Sequence, residues 1–178
     1  MIKKRTQLTL FVDQKNSETI EKVRREFNSK QYHLIKSHVT LCRDNELDNI
    51  SEAIINLRNL NFPAFNLDFG SVTMFSDGQG MLLPVIGDIT QFVSLRKYIL
   101  EGIISSPENL APHITLMHPR NSVCTDEIFR QIQQIEFPKT LAFSKISLIE
   151  QQDGNKWQVI EEFNLISLRW LPHQPERS

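Results

Sequence analysis

The sequence predicts an α+β fold of two lobes related by a pseudo-twofold axis, each an antiparallel sheet with helices on the outside, around a central cleft. Strand-like and helix-like patterns alternate along the 178 residues, and the order of the first half returns in the second. Equivalent markers lie 75 positions apart, as His38 and His113 do, and as Phe62-Pro63 and Phe137-Pro138 do. Because this offset is shared by markers of different kinds, it indicates an internal duplication.

The first repeat is predicted to run from about residue 6 to residue 86. Its strands alternate apolar and polar residues, its helices carry apolar residues at helical spacing, and Asp77-Gly78 marks a hairpin turn. Asp13 is a helix-capping residue type ahead of the first helical pattern. The predicted segments are a strand at 8–12, a helix at 17–27, a strand at 38–41, a helix at 46–57 and a hairpin of 65–75 with 81–86.

The second repeat is predicted over about 81–162, with Asp153-Gly154 as its hairpin turn. No linker-like stretch separates the repeats, so residues 1–178 are predicted to form a single bilobal domain, with a loosely ordered tail after Trp170. The predicted segments are a helix at 88–104, a strand at 113–117, a helix at 125–135, and strands at 141–149 and 157–160.

The charge balance argues against a large nucleic-acid surface. Lys plus Arg (20) nearly equals Asp plus Glu (21), so an RNA-like ligand must be small or held in a local pocket. Two cysteines are too few for a disulfide framework, and no segment resembles a signal peptide or reaches transmembrane length. We therefore expect a cytoplasmic monomer with no cofactor, no membrane role and no obligate protein partner.

Two copies of one short motif carry the predicted chemistry. They are His38-Val39-Thr40-Leu41 and His113-Ile114-Thr115-Leu116. Side chains alternate along a strand, so each motif presents an imidazole and a hydroxyl on one face and apolar groups on the other. A pseudo-twofold axis would bring the two polar faces together across a cleft.

This set of groups suits phosphodiester cleavage. A neutral His can take a proton from the attacking oxygen while a protonated His gives one to the leaving oxygen. We therefore predict His38 and His113 as catalytic residues, and Thr40 and Thr115 as ligands of the substrate phosphate. The scheme needs no metal, and it does not decide which His is the base.

The paired motifs resemble those of the two-histidine phosphoesterase superfamily, which includes the bacterial 2′-5′ RNA ligase family and cyclic phosphodiesterases. The resemblance implies a two-lobed fold around a water-filled groove. It also implies a metal-independent site that acts on 2′,3′-cyclic phosphates of nucleotides or RNA ends, on ADP-ribose 1″,2″-cyclic phosphate, or on 2′,5′-linked oligonucleotides. Ligase-like members often follow the first motif with an aromatic residue and Leu-Gly, whereas this chain has Cys42-Arg43-Asp44.

Other residues near the motifs have simpler interpretations. Strict alternation turns His118 away from His113, and the alternative is that it lines the mouth of the cleft. The same alternation puts Cys42 on the cleft side, although most such cysteines are small buried hydrophobes rather than nucleophiles. Arg43 or Arg120 could steer an anionic substrate or pair with its phosphate, although a solvated loop arginine is the commoner case. A zinc site built on the histidines is disfavoured because hydroxyls are poor zinc ligands.

Three aromatic residues are candidates for the rim of the groove, and two other functions remain possible for the fold. Tyr32, Phe75 and Trp157 lie near predicted turns that could rim a groove, although Trp157 is expected in the core. The rival function is a non-catalytic module that binds RNA ends or nucleotides on the same fold. A third alternative, a structural or regulatory protein, predicts neither activity nor nucleotide affinity.

Overall fold

The computed structural model describes residues 3–105 and 107–166. It is an α+β fold in which a curled antiparallel sheet carries helices, as the sequence predicts. The helices are α1 (Gln14–Phe27), α2 (Ser29–Leu34), α3 (Ile50–Arg58), α4 (Thr90–Ile99) and α5 (Asp126–Gln133). The strands are β1 (Lys4–Phe11), β2 (His38–Cys42), β3 (Phe65–Phe69), β4 (Thr73–Met74), β5 (Met81–Ile86), β6 (His113–Met117), β7 (Thr140–Phe143), β8 (Lys145–Gln152) and β9 (Gln158–Asn164).

The strands follow one continuous path, β7-β3-β5-β6-β2-β1-β8-β9, with β4 paired to β5. The two motif strands, β2 and β6, are neighbours at the centre of this path and pair antiparallel, with Val39 opposite Ile114. The order is symmetric about them, since β1 lies beside β2 and β5 beside β6. The fold therefore places both motifs in the middle of one sheet.

Helices cover one face of this sheet. α1 contacts β6 and α4 contacts β2, so each helix packs on a strand from the other half of the chain. The apolar motif residues Val39, Leu41, Ile114 and Leu116 have no exposed surface and belong to the core cluster under these helices. The opposite face at β2 and β6 is thereby left open.

Helix starts follow capping chemistry more closely than apolar periodicity. α1 begins at Gln14, three residues before its predicted start, because the Asp13 carboxylate accepts a hydrogen bond from the Asn16 N–H (3.1 Å). α3 begins at Ile50 rather than near residue 46, since Asn49 caps it and residues 44–46 form a 3-10 turn. α2 was not predicted, because none of its six residues is buried and they carry no amphipathic pattern.

Two predicted strands are each two strands in the structure. Residues 65–75 divide into β3 and β4, and residues 141–149 divide into β7 and β8. The second break occurs because the chain changes partner: β7 pairs with β3, whereas β8 pairs with β1 and β9. The helix predicted over 88–104 ends earlier, at Ile99.

The tail after Trp170 lies outside the described residues. Within the described ranges, no helix is long and apolar enough to cross a membrane.

Candidate active site

All four motif side chains line one cavity of 580 Å³. His38, Thr40, His113 and Thr115 are partly exposed, while the apolar residues between and after them are fully buried. This is the alternation expected of strands with one core face and one open face.

The strand register sets the arrangement of these four groups. Because Val39 lies opposite Ile114 in an antiparallel pair, His38 faces Thr115 and Thr40 faces His113. Side chains directly opposite one another have Cβ atoms about 4.5–5.5 Å apart. Each imidazole therefore lies beside the hydroxyl of the other motif. The four groups form a diagonal square, in which the two imidazoles occupy one diagonal and the two hydroxyls the other.

Both histidines are held in the same tautomer. The Nδ1 of His38 lies 2.7 Å from the Lys36 carbonyl oxygen, and the Nδ1 of His113 lies 2.9 Å from the Ala111 carbonyl oxygen. A carbonyl oxygen only accepts, so Nδ1 carries the proton in both rings. When the imidazole is neutral, its Nε2 is left with a free lone pair, which is the proton acceptor that a general base needs.

Phenylalanines restrict the two imidazole rings. Phe11 meets His38 edge to face with ring centroids 6.1 Å apart, and Phe75 meets His113 in the same way at 5.4 Å. Together with the carbonyl contacts, these rings fix the plane in which each imidazole lies.

The environment keeps both imidazoles neutral near neutral pH. Burial lowers the pKa of His38 to about 4, although the hydrogen bond to the Lys36 carbonyl opposes the shift. The charge of Arg24 lowers the pKa of His38 further. Burial likewise lowers the pKa of His113, with a contribution from the charge of Arg43.

The two threonines differ in their neighbours. Gln7, on β1, donates from its Nε2 to the Oγ1 of Thr40 (3.1 Å) and to the Oγ1 of Thr9 (2.9 Å). Because the Thr40 oxygen is occupied as an acceptor, its own O–H is free to donate into the cavity. Thr115 has the apolar Leu82 opposite it on β5.

A β-bulge follows each motif threonine and corrects two predictions. On β2, Leu8 pairs with Cys42 and Thr9 with Thr40, so Leu41 is the extra residue. On β6 the pairs Met81–Met117 and Leu82–Thr115 leave Leu116 as the extra residue. A bulge shifts the alternation of side chains by one residue, so strict alternation fails beyond both motifs.

The first bulge removes Cys42 from the cavity. Its side chain is fully buried in the core, and burial raises the pKa of its thiol to about 12. A thiol of this kind stays protonated and is inert as a nucleophile. Cys42 is therefore a core residue, as the simpler interpretation held, although the predicted facing of its side chain was wrong.

The second bulge brings His118 into the cavity, so the prediction that it faces away was wrong. Arg43, which stands 75 positions before His118, also lines the cavity, as does Arg120. Both arginines are exposed and lie outside the helices and strands, so they are solvated loop residues that also border the cavity.

The cavity is positively charged. Four basic side chains line it, and none of the described lining residues is Asp or Glu. This local charge contrasts with the net charge of −1 for the whole chain, and it favours anions over cations as ligands of the cavity. The basic residues are Arg5, Lys30, Arg43 and Arg120.

Aromatic residues border part of the cavity. Phe75 and Trp157 line it, whereas Tyr32 borders a separate surface depression beside α1. Trp157 is only partly buried, and the Arg5 guanidinium lies 5.4 Å from its ring centroid. Its expected place in the core was wrong, since the backbone before β9 holds it at the cavity wall through a hydrogen bond from its N–H to the Leu34 carbonyl (2.9 Å).

A buried ion pair holds the segment that precedes His38. Arg24 donates to the Glu21 carboxylate (2.7 Å) and to the Ile35 carbonyl (2.8 Å). The same carboxylate accepts from the Ser37 N–H. The backbone on which His38 stands is thus tied to α1 by charge-assisted hydrogen bonds.

A second buried ion pair ties α4 to the end of β2 and to the segment that precedes β6. Arg96, on α4, donates to the Glu46 carboxylate (2.6 Å), to the Leu41 carbonyl and to the Glu108 carbonyl (3.1 Å). Glu46 in turn accepts from the Arg43 N–H (2.8 Å). Burial alone would raise the pKa of Glu46, but the hydrogen bonds from Arg96 and Arg43 hold it below its ordinary value.

Sequence reasoning did not find Arg5, Gln7 or Lys30 as cavity residues. Gln7 is recognisable only once β1 is known to pair with β2, and Lys30 lies on the unpredicted α2. Within residues 3–105 and 107–166, no three His, Cys, Asp or Glu side chains group in a way that could hold a metal ion.

Comparison of the sequence with protein families gives one match. The model of the 2′-5′ RNA ligase superfamily matches residues 12–155, a stretch that contains all four motif residues. Curated protein sequences gave no match.

Solved structures with the same fold include Escherichia coli LigT complexed with 3′-AMP, which is 14% identical with a TM-score of 0.63 over 91% of this chain and 98% of LigT. A phosphoesterase is 15% identical with a TM-score of 0.62 over 92% of this chain and 99% of its own. The protein TT0787 of Thermus thermophilus is 14% identical with a TM-score of 0.57 over 90% of this chain and 97% of its own. At these identities the likeness establishes the fold.

Proposed function

Since the chain belongs to the 2′-5′ RNA ligase superfamily, whose members are two-histidine phosphoesterases and ligases, we propose that it is a metal-independent phosphoesterase. Its substrates are 2′,3′-cyclic phosphates, ADP-ribose 1″,2″-cyclic phosphate or 2′,5′ phosphodiesters of nucleotides or RNA ends. The observation that carries the proposal is the diagonal square of two Nδ1-protonated imidazoles and two hydroxyls in a cavity lined by basic residues.

The square accounts for each proton in the hydrolysis. A water oxygen attacks phosphorus while the Nε2 of one His takes its proton, and the bond from phosphorus to the leaving oxygen breaks as the Nε2 of the other His protonates that oxygen. The Thr40 and Thr115 hydroxyls donate to the non-bridging oxygens, where charge builds up. Proton exchange with solvent restores both rings for the next turnover.

The surroundings favour His38 as the base and His113 as the acid. His38 has a pKa of about 4, and the Arg24 charge adds to the effect of burial, so its Nε2 is a free acceptor over the physiological range. A phosphate anion in the cavity stabilises the protonated form of a neighbouring imidazole. His113 is then the ring that enters the reaction protonated, with its Nδ1–H still bonded to the Ala111 carbonyl.

A structural neighbour supports the choice of substrate class. E. coli LigT has been crystallised with 3′-AMP, a nucleoside monophosphate of the kind that opening a 2′,3′-cyclic phosphate releases. The basic cavity of this chain, with Trp157 on its wall, has the charge and the aromatic surface that a nucleotide requires.

Hydrolysis of a substrate panel in EDTA tests the proposal. The panel holds 2′,3′-cyclic nucleotides, ADP-ribose 1″,2″-cyclic phosphate and a 2′,5′-linked dinucleotide, each followed by chromatography of the products. We expect chelator-resistant turnover of at least one compound by the parent protein, and turnover at least about 10²-fold slower by His38→Ala. Tight nucleotide binding by a parent that turns over no compound would overturn the proposal in favour of a non-catalytic binding module.

A further inference from the structure

His118 is the third imidazole of the cavity, and its hydrogen bonding is the reverse of that at the motif histidines. The Arg120 backbone N–H donates to the Nδ1 of His118 (3.2 Å). Nδ1 is therefore the acceptor, and the proton of the neutral ring lies on Nε2. His38 and His113 present a lone pair from Nε2, whereas His118 presents an N–H.

The segment that carries His118 is firmly held. The His118 carbonyl accepts from the Asn121 N–H (2.9 Å) and from the Ser122 hydroxyl (2.9 Å). Asn121 also donates to the Gln31 side chain (2.7 Å), which ties the turn to α2. The Nε2–H donor is consequently preorganised, and little ordering is needed when a ligand binds.

Two arginines lie close enough to His118 to influence its charge. Burial lowers the pKa of His118, and the charges of Arg120 and Arg5 lower it further, against a smaller opposite effect of Asp77. Arg5 is itself held by its hydrogen bond to Gln151 and by the cation–π contact of its guanidinium with the Trp157 ring. A neutral donor flanked by two cations suits a ligand that carries negative charge and acceptor oxygens.

We propose that His118, Arg120 and Arg5 form a second phosphate subsite in the same cavity, beside the square of motif residues. The inference rests on the proposed function and narrows its substrate class: the substrate carries a phosphate in addition to the one that is cleaved. A nucleotide with a phosphate on its 5′ oxygen, as found at the end of an RNA chain, meets this requirement, whereas a cyclic nucleoside monophosphate with a free 5′-hydroxyl does not.

Binding of product analogues measured by calorimetry tests the subsite without turnover. The ligands are adenosine 3′-monophosphate, adenosine 3′,5′-bisphosphate, and the dinucleotide of adenosine that ends in a 3′-phosphate. We expect the parent to bind the bisphosphate at least about tenfold more tightly than the monophosphate, a difference of about 1.4 kcal/mol. An equal gain for the dinucleotide indicates that the subsite accepts a diester, and no gain for it indicates a monoester.

Variants of His118 and Arg120 test whether these side chains cause the gain in affinity from the second phosphate. We expect His118→Ala and Arg120→Gln each to reduce the gain from the second phosphate to about threefold or less, a loss about as large as the net contribution of one hydrogen bond. His118→Gln keeps an N–H donor near the position of Nε2 and should retain most of the gain. Arg58→Gln, which removes an exposed ion pair with Glu161, is the control and should leave the gain unchanged.

The outcomes separate this inference from the proposed function. Equal affinity of the parent for the monophosphate and the bisphosphate overturns the subsite even if cyclic nucleotides are hydrolysed. A gain that survives both His118→Ala and Arg120→Gln overturns it as well. A gain that these variants abolish supports the subsite even if no compound of the hydrolysis panel is turned over.

Discussion

The two halves of the site share a backbone and differ in their neighbours. In both, a histidine donates to the carbonyl two residues before it, a threonine stands two residues after it, and a bulge follows at Leu41 or Leu116. These shared features fix the two Nε2 atoms in equivalent positions. Proton transfer in both directions requires such a matched pair, and we infer that this is why the geometry is symmetric.

The differences lie around this symmetric square. Thr40 accepts a hydrogen bond from Gln7, whereas Thr115 lies opposite the apolar Leu82. The residue that lines the cavity after the bulge is Arg43 in the first half and His118 in the second. A fully symmetric cavity would bind a substrate equally well in two orientations. In the proposed mechanism, these unequal surroundings distinguish the base from the acid and one end of the substrate from the other.

Loss of either motif histidine, the symmetric pair of the site, should have the largest effect on activity. His38→Ala and His113→Ala should each lower kcat by about 10²–10⁴-fold, since each removes one proton-transfer group. The double variant should be little worse than either single one, because the two groups act as a unit. Steady-state hydrolysis in EDTA measures kcat for all three variants. A single variant with near-parental kcat would show that only one histidine is needed, and the two halves would then not be equivalent in proton transfer.

The next effect concerns the stability of the buried ion pairs. Arg96→Met leaves the Glu46 carboxylate buried without its partner (both side chains are 5% exposed) and should cost about 3–5 kcal/mol of unfolding free energy. Arg24→Met should cost less, because Glu21 remains 20% exposed.

Urea unfolding followed by circular dichroism measures both changes. The control is Arg58→Met, whose exposed pair with Glu161 should contribute about 0–1 kcal/mol. A cost for Arg96→Met no larger than that of the control would contradict the role assigned to this pair.

The smallest effect tests the asymmetry at the threonines. Gln7→Leu gives Thr40 the apolar neighbour that Thr115 already has, and we expect kcat/KM to fall about 2–10-fold, the size of one neutral hydrogen bond. Gln7→Glu should lower kcat/KM further, because a carboxylate accepts the Thr40 proton and repels the phosphate. Equal kinetics for the parent and both variants would show that the Gln7 contact is without consequence for the site.

The motif strands could be predicted because their information is local. His38–Cys42 and His113–Met117 agree with the predicted strands to within a residue, and the alternation placed both His-Thr pairs on one face. Turn markers likewise located Asp77-Gly78 and Asp153-Gly154, where both glycines have positive φ. The internal duplication remains an interpretation, in accord with the order of these elements.

The rest of the cavity depends on pairing between distant strands. The bulge at Leu41 is visible only in the pairing of β2 with β1, and the bulge at Leu116 only in the pairing of β6 with β5. For this reason the predicted directions of the Cys42 and His118 side chains were wrong. Gln7 reaches Thr40 across a strand pair that no local pattern specifies. The break between β7 and β8 is also a change of partner rather than a change of sequence pattern.

The pH dependence of kcat/KM, measured in EDTA with the best substrate of the panel, tests the assignment of His38 as the base and His113 as the acid. His38 must be neutral, so activity should rise as the pH increases through about 4. His113 must be protonated, and its pKa lies below the ordinary value of 6.5, so activity should fall before the pH reaches 6.5. We therefore expect a bell-shaped profile with an acidic optimum. A rate that instead increases steadily from pH 5 to pH 8 would rule out this assignment of base and acid.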